Sequence, residues 1–171
     1  MESYTNRDNQ HTVYLHRLAT GLVNDYTTPN LKASYKTARS ILLDAEQITT
    51  QTQLNKITAG INSKIKSDTN EMWLGITDEL NDTAVYEATF QANLFRDLMG
   101  VNLDIPADKK ILSYVNNSLM TLTSGQRVSS GVWAEYTAQN TSSIMKAYTS
   151  QIRAGYANGE TVSQMTKRLR D

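Results

Sequence analysis

MWLGITDELNDTAVYEATFQANLFRDLMG, residues 72–100, decides the fold class. Apolar side chains recur at Met72, Trp73, Ile76 and Leu80, then at Tyr86, Phe90, Leu94 and Leu98, the three-and-four spacing of one helix face. This predicts a long helix, bent near Asn81 and Asp82 and stopped at Gly100. Immediately upstream, Ser67-Asp68-Thr69-Asn70 with Glu71 behind it reads as the capping cluster that starts this helix.

Working further upstream, Leu54, Ile57, Ile61 and Ile65 form a stripe, in which a mid-helix Gly60 costs about 1 kcal/mol relative to alanine. Before it, Leu31, Tyr35, Ala38, Leu42, Ala45 and Ile48 follow Thr28-Pro29, an N-cap and first-turn pair, and end in Thr49–Thr52. The first stripe, His11, Leu15, Leu18 and Leu22, runs from about Asp8 to Asp25. Downstream, Val101–Pro106 reads as a linker and Lys110–Asn116 as a short helix. A hairpin is predicted near 119–130, turning at Gly125. Helical spacing resumes from Trp133 to Tyr156. A last helix opens with Thr161-x-x-Gln164, the spacing of a capping box. The expectation is a mainly α protein: a bundle-like helical region over 1–100, then an α-rich unit over 101–171 carrying a small β-hairpin.

Composition narrows the function classes. The chain has 171 residues with 17 basic and 17 acidic side chains, so its formal net charge is zero. A pI near 6.7 excludes a globally basic nucleic-acid binder, while leaving room for a local patch. No cysteine means no disulfide, thiolate metal site or cysteine nucleophile. No apolar run reaches membrane-spanning length, and Met1–Asn6 lacks the basic region and apolar stretch of a signal peptide. Thr (21), Asn (14) and Ser (14) exceed a quarter of the chain, a poor choice for isolated helices. Such helices must be held by packing on each other or on a partner, which points toward an assembly protein.

Catalytic patterns are absent from the sequence. His11 and His16 lie five residues apart, about 140° around a helix, and cannot share a metal; His11 is expected buried and His16 solvated. Glu71, Asp78, Glu79, Asp82 and Glu87 lack the Glu-x-x-His pairs of a di-iron bundle. Gly155–Gly159 lacks the lysine and preceding strand of a phosphate-binding loop. With Ser and Thr this common, any drawn triad is uninformative. The expectation is no enzyme, no cofactor and no metal.

Two surfaces stand out instead. Trp133, Tyr136, Ile144, Tyr148 and Ile152 form an aromatic-rich helix face, predicted to contact another chain. Lys146, Arg153, Lys167, Arg168 and Arg170 gather near the end as candidate phosphate contacts, although a solvated face and a cation-favouring helix C-terminus explain them too.

Residues also carry a resemblance. Leu122-Thr-Ser-Gly-Gln-Arg-Val-Ser, a helix, and then Ile152-Arg153-x-Gly155-Tyr156-Ala157-x-Gly159-Glu160-Thr161, with Met165 and Leu169-Arg170 following, resemble the phage head-morphogenesis (Mu F-like) minor head proteins. The likeness covers about the last 50 residues, extends loosely to Tyr86 and leaves 1–70 uncovered. It implies a virion protein inside the capsid near the portal, made in the host cytoplasm and acting in head morphogenesis or DNA ejection. The implied partners are the portal or other capsid proteins, in a multi-copy assembly; the basic residues near the end add the expectation of at most weak, non-specific DNA contact, and no membrane partner is expected. Members commonly continue past this motif, whereas this sequence ends at Asp171. It gives no catalytic residue. The alternative expectation is a stand-alone helical binding module, a sensor or adaptor bundle.

Overall fold

A computed structural model of the chain describes residues 4–124 and 127–169. In chain order it holds α1 (Tyr4–Leu22), a π-helical turn (Val23–Thr27), α2 (Thr28–Leu43), α3 (Gln51–Met99) and α4 (Asp108–Asn117). The strands β1 (Met120–Ser124) and β2 (Arg127–Gly131) follow, then α5 (Trp133–Ala157) and α6 (Val162–Arg168). The protein is mainly α with one antiparallel hairpin, as the apolar spacing predicts. The strands pair from Met120 opposite Gly131 to Ser124 opposite Arg127; the predicted turn at Gly125 lies outside the described residues.

The predicted start of a helix at Ser67–Asn70 is corrected: α3 runs unbroken for 49 residues. The polar cluster finds partners without breaking the helix. Thr69, fully buried, donates its hydroxyl to the Ile65 carbonyl at 2.7 Å, and Asp68 pairs with Lys64 at 2.6 Å. The same turn-back bond joins Thr58 to Leu54, Thr83 to Glu79, Thr89 to Val85 and Thr166 to Val162. A hydroxyl bonded to the carbonyl four residues earlier can be buried inside a helix. This is how a Thr-rich chain makes long helices.

The start of α3 lies at a second Thr-x-x-Gln. Thr50 Oγ1 accepts from the Gln53 amide at 3.2 Å, while Gln53 Oε1 accepts from the Thr50 amide at 3.1 Å. At the far end Gly100 adopts φ +65° and stops the helix, as predicted. Before α2, the predicted break becomes the π-helical turn Val23–Thr27. Pro29 has no N–H to give to the carbonyl four residues back, and the helical path widens there.

The elements gather into two compact units. One comprises Met1–Val23 and Leu74–Thr137, the other Asn24–Trp73 and Ala138–Asp171. Residue 100 is thus a break between elements and not between units. α3 and α5 each contribute to both.

In the first unit α1 lies antiparallel to the second part of α3. Arg7 pairs with Asp97 at 2.9 Å, His11 with Glu87, and Tyr14 packs on Tyr86 with ring centroids 5.2 Å apart. His11 is buried and stacks on Phe90 at 3.9 Å, while His16 is exposed, as expected for both. Asn116 of α4 donates to Asn81 at 3.1 Å.

In the second unit α2, the first part of α3, the later part of α5 and α6 enclose one core of Ala38, Leu42, Leu54, Ile61, Ile65, Ile152, Val162 and Met165. Each large aliphatic buried there contributes about 1.5–3 kcal/mol. Thr149 of α5 donates to Asn62 of α3 at 3.1 Å.

Candidate functional site

The turn from α5 into α6 is built by the motif residues. The Glu160 amide bonds to the Gly155 carbonyl at 2.9 Å and the Gly159 amide to the Tyr156 carbonyl at 3.0 Å, with Gly159 at φ +69°. That pair of bonds is a Schellman closure, which needs a left-handed residue at Gly159. Thr161 then caps α6: its hydroxyl accepts from the Gln164 amide, and its own amide donates to Gln164 Oε1 at 2.8 Å. Glu160 is ion-paired with Arg168, whose Nε donates at 3.1 Å. The hydrogen bond from Arg168 holds the Glu160 carboxyl below its ordinary range. Gly155, Gly159, Glu160 and Thr161 therefore act together to fold α6 back as a hairpin of helices.

This places Lys167 against α2. Lys32, Lys36 and Arg39 occupy one face of α2 and, with Lys167, line an open cleft of about 520 Å³. Tyr35, Leu43, Ser163 and Thr166 complete it. All four cations are exposed, and among the described residues none of them makes an ion pair. No carboxylate or side-chain amide lines the cleft among those residues. Four positive charges therefore line the cleft with no carboxylate among its described lining residues.

The candidate phosphate contacts thus separate. Lys167 lines the cleft; Arg168 is half-buried and turned onto Glu160; Lys146 and Arg153 are exposed on α5 and do not line it. Arg170 lies outside the described residues. Lys32, Lys36 and Arg39 were not singled out in the sequence. Their signal was there: cations at i, i+4 and i+7 share a helix face, beside the stripe of Ala38 and Leu42.

The aromatic face of α5 is engaged within the chain. Ile152 is fully buried, and Ile144 and Tyr148 pack on the same core. Burial pushes the Tyr148 phenol above its ordinary value, with neighbouring Tyr35 adding to the shift. Trp133 donates its indole N–H to Thr77 at 2.8 Å, and Tyr136 donates to the Met120 carbonyl at 2.7 Å. Ile152 presents nothing to a second chain.

Exposed apolar surface is concentrated elsewhere. Among the described residues, every large hydrophobic side chain that is strongly exposed belongs to the first unit, except Leu31 and Leu43. The densest tract closes α3 and continues past it: Phe95, Leu98, Met99, Val101, Leu103 and Ile105. Met99 is 66% exposed. Leu94, Phe95, Leu98 and Met99, with Gln91, also line a groove of about 240 Å³.

Among the described residues no group of three or more His, Asp or Glu side chains is placed to hold a metal, and no helix is long and apolar enough to cross a membrane. Among the described residues, fold and surfaces together give a helical protein with a basic cleft and an exposed apolar tract. No protein-family model matches the chain, and no curated protein or solved structure matches it.

Proposed function

We propose that the protein is a structural assembly component of a phage virion that docks on the portal or another protein of the capsid interior and acts without catalysis. The observation that carries the docking part is the apolar tract of the first unit. Monomers rarely expose many large apolar side chains together without using them, and a tract of Phe, Met and Leu suits an adaptable protein interface. Residues 101–105 alternate apolar and polar side chains, so an extended segment here offers one apolar edge next to the groove on α3. The virion setting is supported by the resemblance of residues 122–170 to head-morphogenesis proteins.

The test is particle incorporation. Phe95→Asp combined with Met99→Asp alters only exposed positions and should leave the helical circular dichroism intact. In particles of a phage carrying this chain, the native protein should copurify at fixed stoichiometry, and the double variant should be depleted at least tenfold. Absence of the native protein from purified particles would overturn the virion reading. Normal incorporation of the variant would overturn the docking surface.

A further inference from the structure

We infer that the cleft between α2 and α6 binds the phosphodiester backbone of a nucleic acid, without reading its sequence. The arrangement of charge separates this ligand from a compact anion. Lys32, Lys36 and Arg39 are spaced along α2 by four and three residues, about 10 Å of helix axis. A single phosphate is best held by donors converging on one point, whereas charges strung over that length match about three successive phosphates of one strand at 3.4 Å of axial rise each. Lys167 reaches the same cleft from α6, and the Ser163 hydroxyl lies beside it.

Sequence reading is not built in. Base edges are recognised by Asn, Gln, Asp or Glu, or by an Arg or Lys aimed at guanine, and aiming needs a side chain fixed by its neighbours. Among the described residues the cleft is lined by no Asn, Gln, Asp or Glu, and its four cations, Arg39 and three lysines, all lie exposed. Glu160, in the turn before α6, is committed to Arg168. With zero net charge on the whole chain there is no long-range steering, so attraction depends on these local charges and is lost readily to salt.

Binding is measured by fluorescence anisotropy of a labelled random-sequence DNA duplex against the full chain, between about 50 and 200 mM salt. Four neutralised phosphates give a log–log salt slope of about −3.6, roughly a hundredfold loss across that range. Lys36→Glu with Arg39→Glu should weaken binding at least tenfold at the low-salt end and reduce the slope to about −1.8, while helical circular dichroism is unchanged. Lys109→Glu with Lys110→Glu, the same charge change at exposed positions of α4, should leave binding unaltered. Failure of the native chain to bind duplex at low salt would overturn the inference. So would an equal loss in the α4 pair, displacement by pyrophosphate at equal phosphate concentration, or preference for one sequence. The measurement needs no virion partner, so its outcome is independent of particle incorporation.

Discussion

Gly60 lies within α3 with nothing inside 4 Å of where a β-carbon would stand, whereas Gly155 has Met165 Cγ at 2.5 Å and Glu160 Oε2 at 2.9 Å from that point. The same substitution should therefore act in opposite directions. Gly60→Ala should stabilise the protein by about 0.5–1 kcal/mol, because alanine loses less backbone freedom in a helix. Gly155→Ala should cost about 1–3 kcal/mol, because the added β-carbon would overlap Met165, which is itself buried. Urea denaturation of both variants checks the two signs. Sequence showed Gly60 as a liability from its neighbours alone. It could not show why Gly155 is required, since Met165 comes from the next helix. The two Thr-x-x-Gln boxes are an equal contrast: the one at Thr161 was legible because Gly159 punctuates the chain before it. The one at Thr50 was hidden inside a Thr run that reads as a helix ending.

At the level of the element, α6 is short and owes its position to its ends. The Glu160 carboxyl is held below its ordinary range by Arg168, so the folded chain binds that proton less readily than the unfolded chain. The stabilisation is present above the usual carboxylate value and is lost as pH falls through the lowered one. Asp97, held down first by its hydrogen bond from Arg7, behaves in the same way at the far end of α3. Arg168→Met should therefore lower stability at pH 7, and its difference from the native protein should shrink below about pH 4. Thermal melts across that range measure it; a difference independent of pH would assign the loss to packing alone. The helices, the hairpin and the Gly100 stop were legible because period and turn residues are local. The fusion of two predicted helices into α3 was not, because the Ser67–Asn70 cluster carries cap chemistry. What overrides it is burial of Thr69 and the donation of the Asn30 side-chain amide, from α2, to the Asp68 carbonyl at 2.6 Å.

Across the whole molecule, apolar residues are distributed unevenly between two units that periodicity alone does not distinguish. A helical stripe reveals that a face is apolar but not whether the chain itself covers it. Ile152 and Phe95 look alike in sequence; one is sealed in a core and the other is 42% exposed. The aromatic stripe of α5 was read as a surface for another chain, whereas Ile144, Tyr148 and Ile152 pack in the core of their own unit and Trp133 and Tyr136 bond to Thr77 and Met120. Of the basic cleft only Lys167 was singled out in the sequence, because its other three cations lie more than a hundred residues earlier. Short spacing finds clusters along a chain; it does not find those that folding assembles.

The threading of the chain through its two units has a practical outcome at the loop between α3 and α4. Every residue of 101–107 is exposed and lacks regular structure, yet each unit takes segments from both sides of it. A backbone cut between Leu103 and Asp104 therefore leaves each unit to be built from both pieces. Neither piece should fold by itself, because residues 1–103 lack α5 and α6, and residues 104–171 lack all of α3. Expressed together, the two pieces should complement each other into a stable heterodimer with the helical signal of the intact chain, observable by copurification on a tag carried by one piece. Independent folding of either piece would contradict the interleaving. Success would turn this protein into a split reporter whose reassembly can be switched by whatever brings the halves together.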